Sequence, residues 1–301
     1  MIVRVLGSAA GGGLPQWNCG CDNCAAARRG HLLRRTQSSV AISPDGDRWL
    51  LLNCSPDVAA QIESFPLLHP RERRGTPIEG ILLTDANVDH LGGLAVLRQR
   101  GTGGFVVRSS GVVRSIATGQ PAFAPFATAP HRWLEVPLDA CCEPADAADL
   151  VGNELSVRAL AVPGTTPGYD GRRAVRGAVV AYEITERSRD ARFLFAPVFG
   201  ALDEELARAI GSARVAFLDG SFYSDDELRA QELMPKTARA LGHQPVGGAD
   251  GTLTRLRGIR AHVIFTHVNN SNPMLDPGSP EHASLRDIGA EVAYDGMELT
   301  L

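Results

Sequence analysis

Thr84-Asp85-Ala86-Asn87-Val88-Asp89-His90-Leu91-Gly92-Gly93 directly follows the apolar run 79–84. That run is short, rich in Ile and Leu and bounded by turn residues, so it reads as a buried strand. If the chain stays extended beyond it, Asp85, Asn87 and Asp89 point the same way, because side chains alternate along a strand. His90 then sits at the start of a helix over 91–98, where Gly92-Gly93 lets backbone approach closely. Three polar side chains converging at a strand end beside an imidazole suit metal binding or proton transfer. Taken alone, the same residues also fit a turn with a capping Asp and a solvated His.

Further strands are expected at 2–6, 38–43, 48–53, 105–108, 155–161, 177–184, 192–196, 214–218 and 261–266. Helices are expected at 203–210, 226–241, 249–257 and 280–288, with one more opened by Ser55-Pro56-Asp57. Alternation of this kind predicts an α/β layered fold. The stretch 119–152 is Pro- and Ala-rich and shows no clear element, but no linker is long or polar enough to split the chain, so residues 1–301 read as one domain. With 44% hydrophobic and 21% charged residues, the composition is that of a globular protein. The net charge of −4 gives no pull toward nucleic acid. No apolar run is long enough to cross a membrane, and MIVRVLGSAAGGG lacks the basic and apolar regions of a secretory signal, so a cytoplasmic location is expected.

Three of the six cysteines crowd together in Trp17-Asn18-Cys19-Gly20-Cys21-Asp22-Asn23-Cys24. A CxCxxC cluster puts three thiolates within reach of one ion, and zinc prefers such soft ligands. Its expected role is to pin the long 7–36 loop. Cys54, Cys141 and Cys142 lack ligand spacing and read as ordinary thiols. The loop Gly7-Ser8-Ala9-Ala10-Gly11-Gly12-Gly13 matches neither GxGxxG nor the P-loop, so it reads as a tight loop that exposes backbone. His243, after a helix C-terminus, and Asp219, at a strand end, are candidates for the same crevice. His31, His69, His131, His262 and His282 carry no pattern. The arginine clusters at 28–29, 34–35 and 71–74 read as solvated faces, any of which could hold an acidic small molecule.

The 84–93 segment resembles the His-x-His-x-Asp-His motif of the metallo-β-lactamase superfamily, with Asp85 and Asn87 in place of the two leading histidines. Phe265-Thr266-His267, at a late strand end, is similar to the last metal-binding His of that pattern. The mid-chain region that normally supplies a third His reads Val162-Pro163-Gly164-Thr165-Thr166-Pro167. This argues against a dinuclear zinc hydrolase. What remains is Asp89, His90 and His267, one carboxylate and two imidazoles, the facial set that binds Fe(II) and leaves positions open; mononuclear zinc is the competing occupant. Superfamily members with the CxCxxC cluster, such as the phosphodiesterase of phosphonate breakdown, take a fourth ligand three residues after the terminal Thr-His. That position here is Asn270, so the fourth ligand is Asn270, another side chain or water.

GSAAGGGLPQWNCGCDNC, TDANVDHLGGL and FTHVNNSNPML together resemble the pyrroloquinoline quinone biosynthesis protein B family along the whole chain. The resemblance implies an αββα four-layer sandwich and a role in making the redox cofactor PQQ. The implied substrate is a Glu–Tyr cross-linked diamino acid. The implied reaction is Fe(II)- and O2-dependent hydroxylation of its tyrosine ring, with Asp85, Asn87 and His243 orienting ligands or moving protons around the metal. The alternatives are a carrier that hands PQQ or a precursor toward the periplasm and a metal-dependent hydrolase. Partners expected on this basis are that small molecule and possible other PQQ pathway proteins. The structural metal expected is Zn2+.

Overall fold

A computed structural model describes residues 1–98, 103–139 and 154–301. Within them the apolar runs become strands, the central ones covered on both faces. In the first half these are β1 (Ile2–Gly7), β2 (Ser39–Ser43), β3 (Trp49–Leu52), β4 (Ile78–Leu82), β5 (Val106–Ser109) and β6 (Arg132–Glu135). In the second half they are β7 (Leu155–Ala161), β8 (Val180–Glu186), β9 (Ala191–Ala196), β10 (Val215–Asp219), β11 (His262–Thr266) and β12 (Glu291–Val292). A last strand, β13 (Glu298–Thr300), returns to pair with β1. One sheet runs β13-β1-β2-β3-β4-β5-β6 and the other β12-β11-β10-β9-β8-β7. Each sheet is antiparallel at one side and parallel through its last four strands, β3 to β6 and β9 to β12.

Strand parity builds the layers. Val40, Ile42, Leu50 and Leu52 of one sheet meet Tyr182, Phe193, Phe195 and Phe217 of the other in a common inter-sheet core. The intervening residues Ala41, Trp49 and Leu51 face outward and pack beneath Val58, Leu91 and Val113. On the opposite side Leu194, Leu218 and Phe265 are covered by Leu206 and Ile210 of the helix Glu204–Ser212. The result is the four-layer αββα sandwich expected from the sequence. Each large side chain buried in it contributes roughly 1.5–3 kcal/mol.

Several local expectations change. The helix expected over 226–241 is two short pieces, Glu227–Ala230 and Ala238–Leu241. Pro235 cannot continue a helix, and Thr237 starts the second piece by accepting the Ala240 N–H at 3.1 Å. The helix expected over 91–98 begins at Val88 and breaks between Leu91 and Leu94. Ser55 does not cap the next helix through its side chain; that helix starts at Val58 after Asp57. Ser279 caps as expected, accepting the His282 N–H at 3.0 Å. The helices Asp22–Arg28 and Gly111–Thr118 and the strands β6, β12 and β13 lack a strong sequence signal, being short, polar or at sheet edges. Cys141 and Cys142 lie outside the described residues.

Two carboxylates, the half-buried Asp295 and the buried Glu227, tie distant segments to this frame. Asp295 accepts hydrogen bonds from the N–H and hydroxyl of Ser8, at 2.9 and 2.7 Å, and from those of Thr36, at 2.6 and 2.8 Å. It thereby closes both ends of the long 7–36 loop onto the C-terminal strand region. Asp295→Ala strands four donors, and we expect a loss of about 3 kcal/mol in urea unfolding. Glu227 accepts the Ser271 hydroxyl at 2.6 Å and the Tyr223 N–H at 2.7 Å. Burial pushes its carboxyl up to about 7, against the effect of those two bonds. The folded state therefore holds this proton longer than the unfolded chain, and stability falls as pH rises between about 4.5 and about 7. In Glu227→Gln that contribution is gone. The unfolding free-energy difference between the two proteins should shift by about 2 kcal/mol between about pH 5 and about pH 8; a constant difference would contradict this.

Candidate metal centre

The parallel strands deliver the site. β4, β10 and β11 end at the same side of the sandwich, and the segments leaving them carry Asp85 to His90, Asp219 to Ser221, and His267. Asp219 and Thr266 are register neighbours on β10 and β11. Gly220 must be glycine for the two chains to stay this close, because a Cβ there would lie 2.9 Å from the Thr266 carbonyl oxygen.

The chain does not stay extended through the DxNxDH segment. It turns into the helix Val88–Leu91 at Asn87, so Asp89 arrives from a helical turn and not from the strand. Asp85 and Asn87 turn toward each other instead: Asp85 Oδ1 accepts the backbone and side-chain N–H groups of Asn87, both at 2.8 Å. Asp85 is fully buried, and its Oδ2 lies 2.6 Å from His90 Nδ1. The Thr84 hydroxyl sits between Asp85 Oδ2 and Asn53 Oδ1, at 3.0 and 3.1 Å. Burial alone would raise the Asp85 carboxyl, but His90 and the Asn87 N–H outweigh it and hold it below the usual range. Burial likewise opposes charge on His90, yet the Asp85 and Asp89 carboxylates lift it to about 9.

With Nδ1 taken, His90 presents Nε2, a buried nitrogen with no hydrogen-bond partner. It faces the Asp89 carboxylate at 3.9 Å. His267, held at φ +55 just past β11, brings its Nε2 within 3.3 Å of the same Asp89 oxygen. Its Nδ1 is engaged by the Ser221 hydroxyl at 2.8 Å, and that hydroxyl also reaches the His267 carbonyl oxygen at 3.1 Å. The ligand atoms of Asp89, His90 and His267 all lie within 4.8 Å of one another. An orphaned imidazole nitrogen, a second imidazole aimed at the same point and one partly exposed carboxylate are a donor set that fits one divalent ion.

Asp219, His243 and His267 form a second group with the same spacing. Here the carboxylate is already engaged. Asp219 accepts the Ser221 N–H at 2.9 Å and the Phe199 N–H at 3.2 Å, and its Oδ2 lies 2.8 Å from His243 Nδ1. His243 follows Gly242, which ends the Ala238–Leu241 helix in the left-handed conformation, and its ring stacks on that of His267. Burial disfavours the charged His243 ring, but Asp219 overrides it and raises the group above its ordinary value.

A cavity of about 310 Å³ opens over these residues, lined by Asp89, His267, His243, Ser221, Thr165 and Arg172 among others. The glycine loop forms part of its wall through Ala10 and Gly11. A Cβ on Gly11 would lie 3.2 Å from an Asp89 oxygen, so glycine lets the loop lie on the ligand itself. None of the arginines of the 28–29, 34–35 and 71–74 clusters lines this cavity. Arg28 holds the Gln16 and Cys19 carbonyls at 2.7 and 2.5 Å, Arg35 is drawn inward to Ser8, and Arg71 pairs with Asp47. His31, His69, His131, His262 and His282 are also absent from its lining. Sequence reasoning missed Arg172, Tyr169 and Ser221. Tyr169 donates its hydroxyl to the Ala86 carbonyl, joining the 165–172 segment to the ligand segment. No spacing signal marks these three residues, because they come from loops unrelated in sequence to the DxNxDH stretch.

The CxCxxC cluster lies beside this site. Cys19, Cys21 and Cys24 converge, and Asn270 joins them from beyond His267. The Asn270 amide nitrogen lies 3.2 Å from Cys19 Sγ and 3.4 Å from both Cys21 Sγ and Cys24 Sγ. Burial and the neighbouring sulfurs push the Cys24 thiol up to about 12, despite the Gln16 N–H directed at it. Burial also disfavours ionised Cys21, but hydrogen bonds from Cys24, Cys19 and Asn270 outweigh it and lower that thiol. Three thiols so placed cannot ionise together without a compensating cation. Cys54 is a buried free thiol away from this cluster.

Known proteins resemble this chain in sequence and in fold. A β-lactamase superfamily domain matches residues 48–268. Coenzyme PQQ synthesis protein B of Ectopseudomonas mendocina is 40% identical over 311 residues, and that of Methylococcus capsulatus 38% over 315, each covering 100% of both chains. The crystal structure of Zn2+-bound PqqB from Methylobacterium extorquens matches with a TM-score of 0.92 at 35% identity, covering 100% of both chains. A diphosphatase of the PhnP family, 18% identical with a TM-score of 0.68 and covering 100% of this chain and 97% of its own, shares the fold. The chain belongs to the coenzyme PQQ synthesis protein B family, within the β-lactamase superfamily and with its metallo-β-lactamase fold.

Proposed function

We propose that this protein acts in PQQ biosynthesis as an Fe(II)- and O2-dependent hydroxylase of the tyrosine ring of a Glu–Tyr cross-linked diamino acid. The observation that carries this reading is the Asp89, His90 and His267 set, in which the buried His90 Nε2 has no other partner. Asp89, His90 and His267 would hold Fe(II), which would supply O2 activation when bound. Zinc is the competing occupant of the same ligands. Asp85 holds His90 through Nδ1 and Ser221 holds His267 through Nδ1, so both rings present Nε2. Asn87 fixes Asp85. With Nδ1 directed at Asp219, His243 offers Nε2 to the cavity as an acceptor for the phenol proton. Its stacking on His267 keeps that nitrogen beside the reacting ring.

Asp85 turned inward is the main argument against the hydrolase alternative. A dinuclear hydrolase needs imidazoles where Asp85 and Asn87 stand; here Asp85 is engaged by His90 and the Asn87 amide donates to Asp85. Cys19, Cys21 and Cys24 are assigned to Zn2+. Asn270 is assigned as fourth ligand through Oδ1, which a half-turn of the amide brings to the position its nitrogen holds. The inter-sheet core draws on both halves, which supports one domain over residues 1–301. Among the described residues no helix is long and apolar enough to cross a membrane. The cysteines at 19, 21, 24 and 54, none of them in a disulfide, fit a reducing compartment, and we assign the cytoplasm.

Anaerobic Fe(II) reconstitution followed by O2 and the diamino acid tests the assignment, with oxygen incorporation read by mass. His90→Ala and His267→Ala should each lower turnover by at least about 100-fold. Full turnover in either variant would refute the site. Tight PQQ binding by His90→Ala, with no oxygen incorporated by wild type, would favour the carrier. In Cys21→Ser we expect zinc content and thermal stability to fall while iron content holds. Loss of iron with zinc retained would reverse the roles of the two clusters.

A further inference from the structure

We propose that Arg172 is the carboxylate anchor of the cavity, selecting substrates whose anionic carboxylate is tethered to the ring presented to His90 and His267. The inference rests on the ring-hydroxylation reading and goes beyond it by naming the residue that chooses the substrate class.

Arg172 is the one fixed cation among the described residues lining the cavity. The nearby arginines are already paired: Arg173 with Asp170 at 2.6 Å, and Arg176 with Asp139. Arg172 has no carboxylate partner among the described residues. Its Nη1 donates to the Leu241 carbonyl at 2.9 Å, which steadies the exposed guanidinium, and its other N–H groups have no protein acceptor among the described residues. The carboxylates deeper in the site do not claim it, since Asp85 is held by His90, Asp219 by His243 and Asp89 lies against His267. A guanidinium in this position is free to receive a carboxylate through two parallel N–H bonds.

The loop that carries it is built to hold it there. Thr165 bridges Ala174, the Thr166 hydroxyl accepts the Arg173 N–H at 2.9 Å, and the Arg172 N–H reaches the Pro167 carbonyl at 3.2 Å. Tyr169 fastens the same loop to Ala86, one residue from Asp85. Gly171 and Arg172 are both left-handed, at φ +85 and +52, which reverses the chain and sends the arginine toward the Leu241 side of the cavity. An arginine in this conformation is uncommon, and the surrounding bonds maintain it.

The test compares two ring ligands that differ in one carboxylate, 3,4-dihydroxyhydrocinnamate and 4-ethylcatechol, by calorimetry on zinc-loaded full-length protein. Wild type should prefer the carboxylate by about tenfold, with the preference shrinking as salt is raised. Arg172→Met and Arg172→Gln should abolish the preference while leaving 4-ethylcatechol affinity and the unfolding midpoint unchanged. Arg172→Lys should keep only part of it, having lost the forked geometry. If wild type shows no preference, or Arg172→Met retains it, the anchor assignment is overturned while the ring-binding reading stands. If neither ligand binds the metal-loaded protein, the ring-binding reading itself fails and the anchor falls with it.

Discussion

The packing of two sheets face to face, each covered by helices on its outer side, is the constraint from which the rest follows. Strands buried on both faces cannot carry functional groups along their length, because every position is needed for the core. Chemistry is displaced to where the strands stop. In the parallel parts of both sheets the strands stop at the same end, so β4, β10 and β11 release Asp85, Asp219 and His267 into one crevice. The inter-sheet core of Phe193, Phe195, Phe217 and Tyr182 thereby fixes the distance between groups that are 134 and 182 residues apart in sequence, counted from Asp85 to Asp219 and to His267.

Inside the crevice the governing rule is that a buried charge must be partnered. Asp85 and His90 satisfy one another, as do Asp219 and His243, and Ser221 settles the remaining nitrogen of His267. Asp89 and the Nε2 atoms of His90 and His267 then remain, among the described residues, as one group with the spacing of an ion site. The replacement of two motif histidines by Asp85 and Asn87 therefore does more than delete ligands. It converts first-rank metal donors into a bracket that orients His90.

The neighbouring loops serve the same economy of contacts. The 7–36 loop is secured at one point by Asp295, at another by Arg28 on its own carbonyls, and beside the crevice by the cysteine cluster with Asn270. Asn270 lies three residues beyond His267, so the cluster and the metal centre share one short segment. The arginine that faces the cavity comes from elsewhere, on a loop fastened through Tyr169 to the ligand segment itself.

What could be read from the sequence was whatever depends on neighbours along the chain. Apolar runs located most strands, the αββα layering followed from family resemblance, and CxCxxC and DxNxDH marked the two clusters because their spacing is local. Short edge strands such as β6 and β13 escaped notice because pairing with a neighbour, not propensity, makes them strands. The helix expected over 226–241 ignored Pro235, and the extended reading of 85–89 ignored the turn at Asn87, so Asp89 reaches the cluster from a helical turn and not from an extended strand end. That Asp85 faces inward, that Asp219 at the end of β10 and Ser221 just beyond it hold His243 and His267, and that Arg172 lines the cavity were settled by tertiary structure alone. Each depends on contacts between segments that only the packing of the two sheets brings within hydrogen-bonding distance.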